Sequence, residues 1–299
     1  MPNEAIEGLN IKPDGIYVDA TYGGGGHARA ILERLDKGCL YVFDHDMTVA
    51  ENLPDDDRVT FFHANYAYLK NFLKLHHVEK VDGILADLGV SSYQIDTPER
   101  GFSTRYEGRL DLRMNTQADL TAESVINTYT KSELSRIFKN YGELKSSAKI
   151  ADAIIEARTI KPIETTTQLK ECVGRFAPKY PEKARHKFFA QIFQAVRIEV
   201  NNELDCLKAF LEDGLKVLNE KGRMVIIAYH SLEDRLVKNF FKAGNFTGVV
   251  EHDFYGKKKT PFNVITKRPV TPCKEELLEN NRARSAKLRI AEKKEVAHE

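Results

Sequence analysis

The sequence predicts an α/β protein built on a mostly parallel sheet flanked by helices. Early in the chain, short apolar runs alternate with helical patterns, and a glycine-rich turn joins the first run to the first helix. Further on, a long helical stretch separates those runs from one more central strand. Together these features predict a continuous α/β core interrupted by an inserted helical domain.

The strands are read from "IYVDA" (16–20), "LYVFD" (40–44), "VTFFHA" (59–64) and "DGILADL" (82–88). Each is a short, nearly continuous apolar run, as strands covered on both faces require. Helical patterns fill 27–35, 46–52 and 66–76 between them. Residues 89–115 then read as a loop that mixes arginines with acids. Helical patterns follow at 131–139, 145–158, 165–176 and 184–217, broken by "KP" at 161–162 and "APKYP" at 177–181. The apolar strand "RMVIIAY" (223–229) comes after a turn at 219–223, and is followed by a helix (231–242) and strand-like pieces at 247–255 and 286–292. The expected organisation is a core of 1–116 and 191–299 with a helical insertion at 117–190 that recognises substrate.

Composition narrows the class. The 299 residues are 42% hydrophobic and 30% charged, ordinary for a soluble globular chain. No apolar run approaches the ~18 residues of a membrane span. The opening "MPNEAIEGLN" lacks a signal-peptide pattern, so a cytoplasmic location is expected. Cys39, Cys172, Cys206 and Cys273 form no CxxC pair, so neither a disulfide nor a metal site is expected. The net charge of +1 is uninformative, but "GKKKTPFNVITKRP" (256–269) and "NNRARSAKLRI" (280–290) make the C-terminal end basic, which fits either a solvated tail or a phosphate-binding surface.

The stretch "VDATYGGGGHARAIL" (18–32) carries the first chemical signal. Four glycines between a strand and a helix let a ligand approach the main chain closely. Residues 23–28 formally satisfy G-x-G-x-x-A, but a four-glycine run satisfies many patterns. Asp44 sharpens the reading: it ends the second strand about 20 residues on, where a carboxylate accepts hydrogen bonds from ribose hydroxyls. Loop and acid together favour an adenosine-containing cofactor, without separating a nicotinamide dinucleotide from S-adenosylmethionine. Asp19 helps separate them, because an acid before the glycines repels a pyrophosphate and favours a cationic sulfonium cofactor.

"ADLGVSSYQ" (86–94) lies at the ligand-binding end of the fourth strand. Taken with "DATYGGGGHARAIL", "RGFSTR", "LDLRMN", "FQAVRIEVNNEL", "HSLEDRLVKNFF" and "NNRARSAKLRIAEK", it resembles the 16S ribosomal RNA cytosine-N4 methyltransferase family, the MraW/RsmH family, over nearly the whole chain. The resemblance implies a Rossmann-like class I fold, S-adenosylmethionine as cofactor, and methyl transfer to N4 of one cytidine of 16S ribosomal RNA or the small ribosomal subunit. It further implies cofactor contacts at Gly25, Gly26, His27, Asp44, Tyr66, Asp87 and Gln94. Two departures stand out: Ala28 replaces the family's usual Ser, and Asn281 replaces a common Pro.

The cytosine amine is a poor nucleophile, so acceptors must localise its lone pair and one must take its proton. Amino-methyltransferases place an acid or small polar residue at the end of the fourth strand, which points to Asp87, Ser91 and Ser92. Whether Asp87 serves cofactor, catalysis or both is left open. His230 follows the strand at 223–229 and is a further candidate to orient the base or relay a proton. The arginine loop (Arg100, Arg105, Arg109, Arg113) either meets RNA or pairs with neighbouring acids. A DNA amino-methyltransferase is the rival enzyme reading, and the oligomeric state, monomer or homodimer, is open.

Overall fold

In the computed structural model, which describes residues 1–103 and 106–295, side chains alternate across one central sheet. Its strands are β1 (Ile16–Asp19), β2 (Cys39–Asp44), β3 (Val59–His63), β4 (Val81–Asp87), β5 (Leu218–Ala228), β8 (Phe262–Val264) and β9 (Lys287–Lys293). A separate two-stranded hairpin comprises β6 (Glu251–His252) and β7 (Lys258–Lys259). The main sheet has the order β3-β2-β1-β4-β5-β9-β8. β1 to β5 pair in parallel, whereas β9 runs antiparallel to both β5 and β8.

The helices are α1 (Pro2–Leu9), α2 (Gly26–Leu32), α3 (Leu69–Leu75), α4 (Ser92–Asp96), α5 (Ala122–Thr128) and α6 (Lys131–Asn140). There follow α7 (Ser147–Ile160), α8 (Thr166–Val173), α9 (Glu182–Asn201), α10 (Glu203–Val217), α11 (Ser231–Ala243) and α12 (Lys274–Glu279). The chain divides into two compact units, Met1–Gly89 with Leu204–Glu299, and Val90–Glu203.

In the first unit, successive strand residues feed opposite layers. Ile84, Ala86, Met224 and Ile226 pack with Leu69 and Leu73 of α3, Phe210 of α10 and Phe240 of α11. Leu85, Val225 and Ile227 turn to the other face, against Ile6 and Leu9 of α1 and Ile31 of α2. Covering both faces explains why the strands are uniformly apolar in sequence. α1 was not anticipated: Pro2 starts it, and its Gly8 lies so close to the sheet that a Cβ would meet the Ile290 side chain at 2.7 Å. The turn expected at 219–223 is instead an irregularity inside β5, where Lys221 has φ +60° and the register against β4 shifts.

The second unit has its own core, formed by Ile126, Phe138, Ile154, Leu169, Phe193 and Val196 among others. Among the described residues, four of its helices start with reciprocal capping boxes, Ser91–Gln94, Thr121–Ser124, Thr130–Glu133 and Thr165–Gln168. Its limits differ from the expected 117–190, because the preceding loop belongs with these helices. Leu110 and Leu112 are buried in this core, and Leu110 N–H donates to Glu164 O at 2.9 Å. The helix expected over 184–217 divides at Asn202, whose left-handed φ of 48° ends α9. Within this unit Arg197 pairs with Glu203 through two bonds of 2.8 and 3.0 Å, and Asn201 bridges Met114 N–H and Leu112 O. Both residues therefore serve the fold.

Phe210 is fully buried and meets the Tyr66 ring edge-on at 5.1 Å. Phe210→Ala is expected to cost about 3–5 kcal/mol in denaturant unfolding through lost burial and a residual cavity.

Candidate functional site

The sheet order turns at β1. After β1 the chain builds β2 and β3 on one side, then returns to lay β4 on the other. Ligands of open α/β sheets bind in the crevice that opens beyond the carboxyl ends of strands at such a reversal. The residues that follow β1 straddle it: Ala20 N–H donates to Leu85 O of β4 at 2.8 Å, and Tyr22 N–H to Phe43 O of β2 at 2.9 Å. Asp87 N–H, at the end of β4, donates to Thr21 Oγ1 at 2.6 Å.

The glycine loop divides by physical need. Gly23 (φ +53°) and Gly25 (φ +74°) occupy the left-handed region, which disfavours side chains. Gly24 and Gly26 do not, and a Cβ added to either would meet nothing within 4 Å. The fold itself thus leaves those two positions free to carry side chains. Their lack of one exposes main chain, as close approach by a ligand demands.

Asp44 is held in place by this loop. Its Oδ2 accepts Gly23 N–H and its Oδ1 accepts Asp46 N–H, both at 2.9 Å. Each oxygen keeps a second lone pair for a hydroxyl. Burial pushes the carboxyl above its ordinary range, and the two amides partly offset the rise.

Three unpartnered buried atoms lie around the loop: Asp19 Oδ2, His27 Nε2 and Asp87 Oδ1. Asp19 is 0% exposed and its pKa is pushed up to about 6, chiefly by burial; its other oxygen accepts Thr21 N–H at 3.1 Å. Asp87 also rises to about 6 through burial, although 29% of its side-chain surface remains accessible. His27 Nδ1 lies 4.0 Å from Asp87 Oδ2, and burial lowers the imidazole's affinity for a proton. Buried polar atoms without partners are rare in native folds, so their grouping here points to a ligand.

Tyr229, beyond β5, is a site residue that the sequence reading missed. Its hydroxyl hydrogen-bonds the Asp87 carboxylate, and burial together with that acid raises its own pKa far above the ordinary phenol value. A tyrosine closing an apolar strand reads as one more core residue, so no sequence signal marked it.

The other expected positions are engaged elsewhere. His230 N-caps α11: its Nδ1 accepts Glu233 N–H at 3.3 Å, while Glu233 Oε2 accepts the N–H groups of Tyr229 and His230. The accepting Nδ1 fixes the tautomer with its proton on Nε2, which lies 3.1 Å from Glu233 Oε1 without hydrogen-bond alignment. Ser91 and Gln94 form the capping box of α4, with Ser91 Oγ accepting Gln94 N–H at 3.2 Å and Gln94 Oε1 accepting Ser91 N–H at 3.1 Å. Each side chain thus commits one acceptor to the start of that helix. Ser92 is exposed in the first turn of that helix. Tyr66 opens a short 3₁₀ turn after β3 and is half-buried, its ring against Phe210.

In the arginine loop, Arg113 pairs with Asp111 through bonds of 2.9 and 2.7 Å, and Arg100 donates to the carbonyls of Arg113 and Met114. Arg109 is 3.8 Å from Glu123 and largely exposed, while Arg105 lies outside the described residues. Pairing within the unit therefore accounts for Arg100 and Arg113.

The arrangement suits a ligand carrying both a vicinal diol, for Asp44, and a positive centre, for Asp19. Comparison with known proteins agrees with an enzyme of group transfer. "Ribosomal RNA small subunit methyltransferase H" of Flavobacterium psychrophilum is 54% identical over 295 residues, covering 98% of this chain and 100% of that protein. The protein of the same name from Flavobacterium johnsoniae is 53% identical, covering 96% and 94%, and that from Amoebophilus asiaticus 53%, covering 97% and 93%. Among solved structures, an rRNA methylase from Streptococcus thermophilus matches with a TM-score of 0.42 at 12% identity, covering 98% of this chain and 94% of that one. The model of the MraW methylase family matches residues 1–294, and the chain belongs to that family.

Proposed function

We propose that this chain transfers a methyl group from S-adenosylmethionine to the exocyclic N4 of a cytidine in small-subunit (16S) ribosomal RNA. The observation that carries the reading is the grouping of unpartnered Asp19, His27 and Asp87 atoms beside the open Gly24 and Gly26 positions, at the reversal of the sheet. Family membership and relatives named as ribosomal RNA small subunit methyltransferases support the substrate class.

The residues present fit such a cofactor. Asp19 offers a buried negative charge to its cationic end, Asp44 two oriented oxygens to its ribose, and Gly25 and Gly26 bare main chain. His27 and Tyr66 complete the walls of the cofactor site. When bound, S-adenosylmethionine supplies an already electrophilic methyl group.

The two carboxylates divide the remaining work by exposure. Asp19 is sealed from solvent, so it acts on a bound ligand through its charge rather than by direct contact. Asp87 keeps part of its side chain accessible, although its unpartnered Oδ1 is itself buried, and is assigned to the target amine. Accepting an amine hydrogen localises the nitrogen lone pair, and taking that proton completes substitution. A pKa of about 6 leaves the carboxylate ionised near neutrality yet more basic than an ordinary aspartate. Tyr229 holds the carboxylate in one orientation. Binding must present an unstacked cytosine, because a paired N4 is out of reach.

Small-subunit RNA or particles incubated with the protein and isotope-labelled S-adenosylmethionine should yield N4-methylcytidine at a single position in nucleoside mass spectrometry. Label entering duplex DNA instead, or no labelled nucleoside, overturns the reading. Asp87→Asn should lower kcat by about 10²–10⁴-fold, the contribution of a general base. Its affinity for S-adenosylmethionine in calorimetry should change only a few-fold.

Asp19 links binding to pH. Its folded pKa of about 6 exceeds the ordinary 3.8, so its stability contribution is complete below pH 4 and is lost as pH rises through 6. Asp19→Asn should therefore stabilise the ligand-free protein near pH 8 by up to about 3 kcal/mol in denaturant unfolding. The same variant should lose most of its cofactor affinity. In the native protein that affinity should weaken as pH falls from 7 to 5, because protonation removes the attracting charge.

A further inference from the structure

We propose that the β6–β7 hairpin is a stacking finger for single-stranded RNA, with Phe254 and Tyr255 as its base platforms. The proposal rests on the reading that the substrate is RNA. Phe254 is 97% exposed and Tyr255 90% exposed, although large aromatic side chains are ordinarily well buried. The neighbouring aromatics behave conventionally: Phe246 and Phe262 pack against Phe240 at 5.2 and 6.0 Å between ring centres.

The tip is a built turn. Asp253 Oδ1 accepts Tyr255 N–H at 2.9 Å and Lys257 N–H at 2.8 Å. Asp253 N–H donates to Lys257 O at 2.9 Å, Gly256 N–H donates to Asp253 O at 3.0 Å, and Gly256 takes φ +78°. The five residues 253–257 thus place two rings outward, 5.6 Å apart and at 89° to each other. Perpendicular rings present their faces in different directions, so each can take a separate base.

Charge identifies the occupant. Lys257, Lys258 and Lys259 follow the rings directly and are all exposed. Lysines beside exposed aromatics match a strand that offers phosphates and unstacked base faces together, the chemistry of single-stranded nucleic acid. A duplex offers the phosphates but keeps its base faces stacked. The hairpin thereby supplies a contact for the RNA flanking the target nucleotide, independent of the residues that hold cofactor and base.

The chain contains no tryptophan, so Phe254→Trp installs a single indole at the tip. An unstructured oligoribonucleotide of about 12 nucleotides, within the usual span of such sites, should quench its emission on binding. The double variant Phe254→Ala with Tyr255→Ala should weaken that binding about tenfold or more, with the slope of log Kd against log salt unchanged. Replacing the three lysines by alanine should weaken it and make the slope shallower by up to about two. With ribosomal RNA substrate, the aromatic double variant should raise KM about tenfold and leave kcat at saturation intact. An unquenched indole with unaltered oligonucleotide affinity overturns the finger. So does loss of self-association or of a protein contact as the double variant's only defect. If the native protein forms N4-methylcytidine while the double variant matches it in KM, the finger alone fails. If the native protein forms none, the functional reading fails and takes the finger with it.

Discussion

One constraint organises the candidate site: the segment after β1 must satisfy two neighbours at once. Ala20 bonds to β4 and Tyr22 to β2, so the main chain bridges the place where the sheet reverses direction. Between those anchors Thr21 accepts the Asp87 amide through its side chain, locking the end of β4 to the loop. Asp19, the glycines and Asp87 are brought together by these few bonds. Buried backbone groups seldom go unpaired, so the crevice keeps its shape without a ligand.

The same constraint explains why the site is electrostatically unfavourable in isolation. Asp19 lies inside protein with one oxygen unpartnered, and Asp87 shares the problem in milder form. Desolvation raises the pKa of both acids, which weakens their ionised forms before anything binds. A fold gains nothing from such groups. A cationic ligand reverses the balance, since it meets charge that is already oriented and dehydrated. Tyr229, half-buried beyond β5, moderates the arrangement by donating to Asp87.

Helix ends supply the opposite case. Ser91, Gln94, His230 and Glu233 have the chemical character of catalytic residues, but their polar atoms satisfy amides at helix N-termini. His230 does so only in part, since its ring is buried and Nδ1 caps α11 while Nε2, 3.1 Å from Glu233 Oε1, makes no hydrogen bond. Each compact unit likewise completes a hydrophobic core of its own, and the loop carrying Leu110 and Leu112 is claimed by the helical one. The expected limits at 117 and 190 followed helical periodicity, whereas packing divides the chain at 89/90 and 203/204.

The linear sequence was enough to locate the parallel strands and the glycine turn beside Asp44, because strands buried on both faces must be apolar runs; β8 was not legible in it. It also determined the family, through motifs spread along nearly the whole chain. Long-range packing sorted the polar residues into those grouped at the reversal of the sheet and those that cap a helix, since both tasks draw on serine, histidine, glutamine and acids. It brought Tyr229 to Asp87, ended α9 at Asn202 and turned the loop at 219–223 into an irregular strand. The physical reason is range: periodicity and turn chemistry are local, whereas burial and hydrogen-bond partners are set by segments distant in the chain.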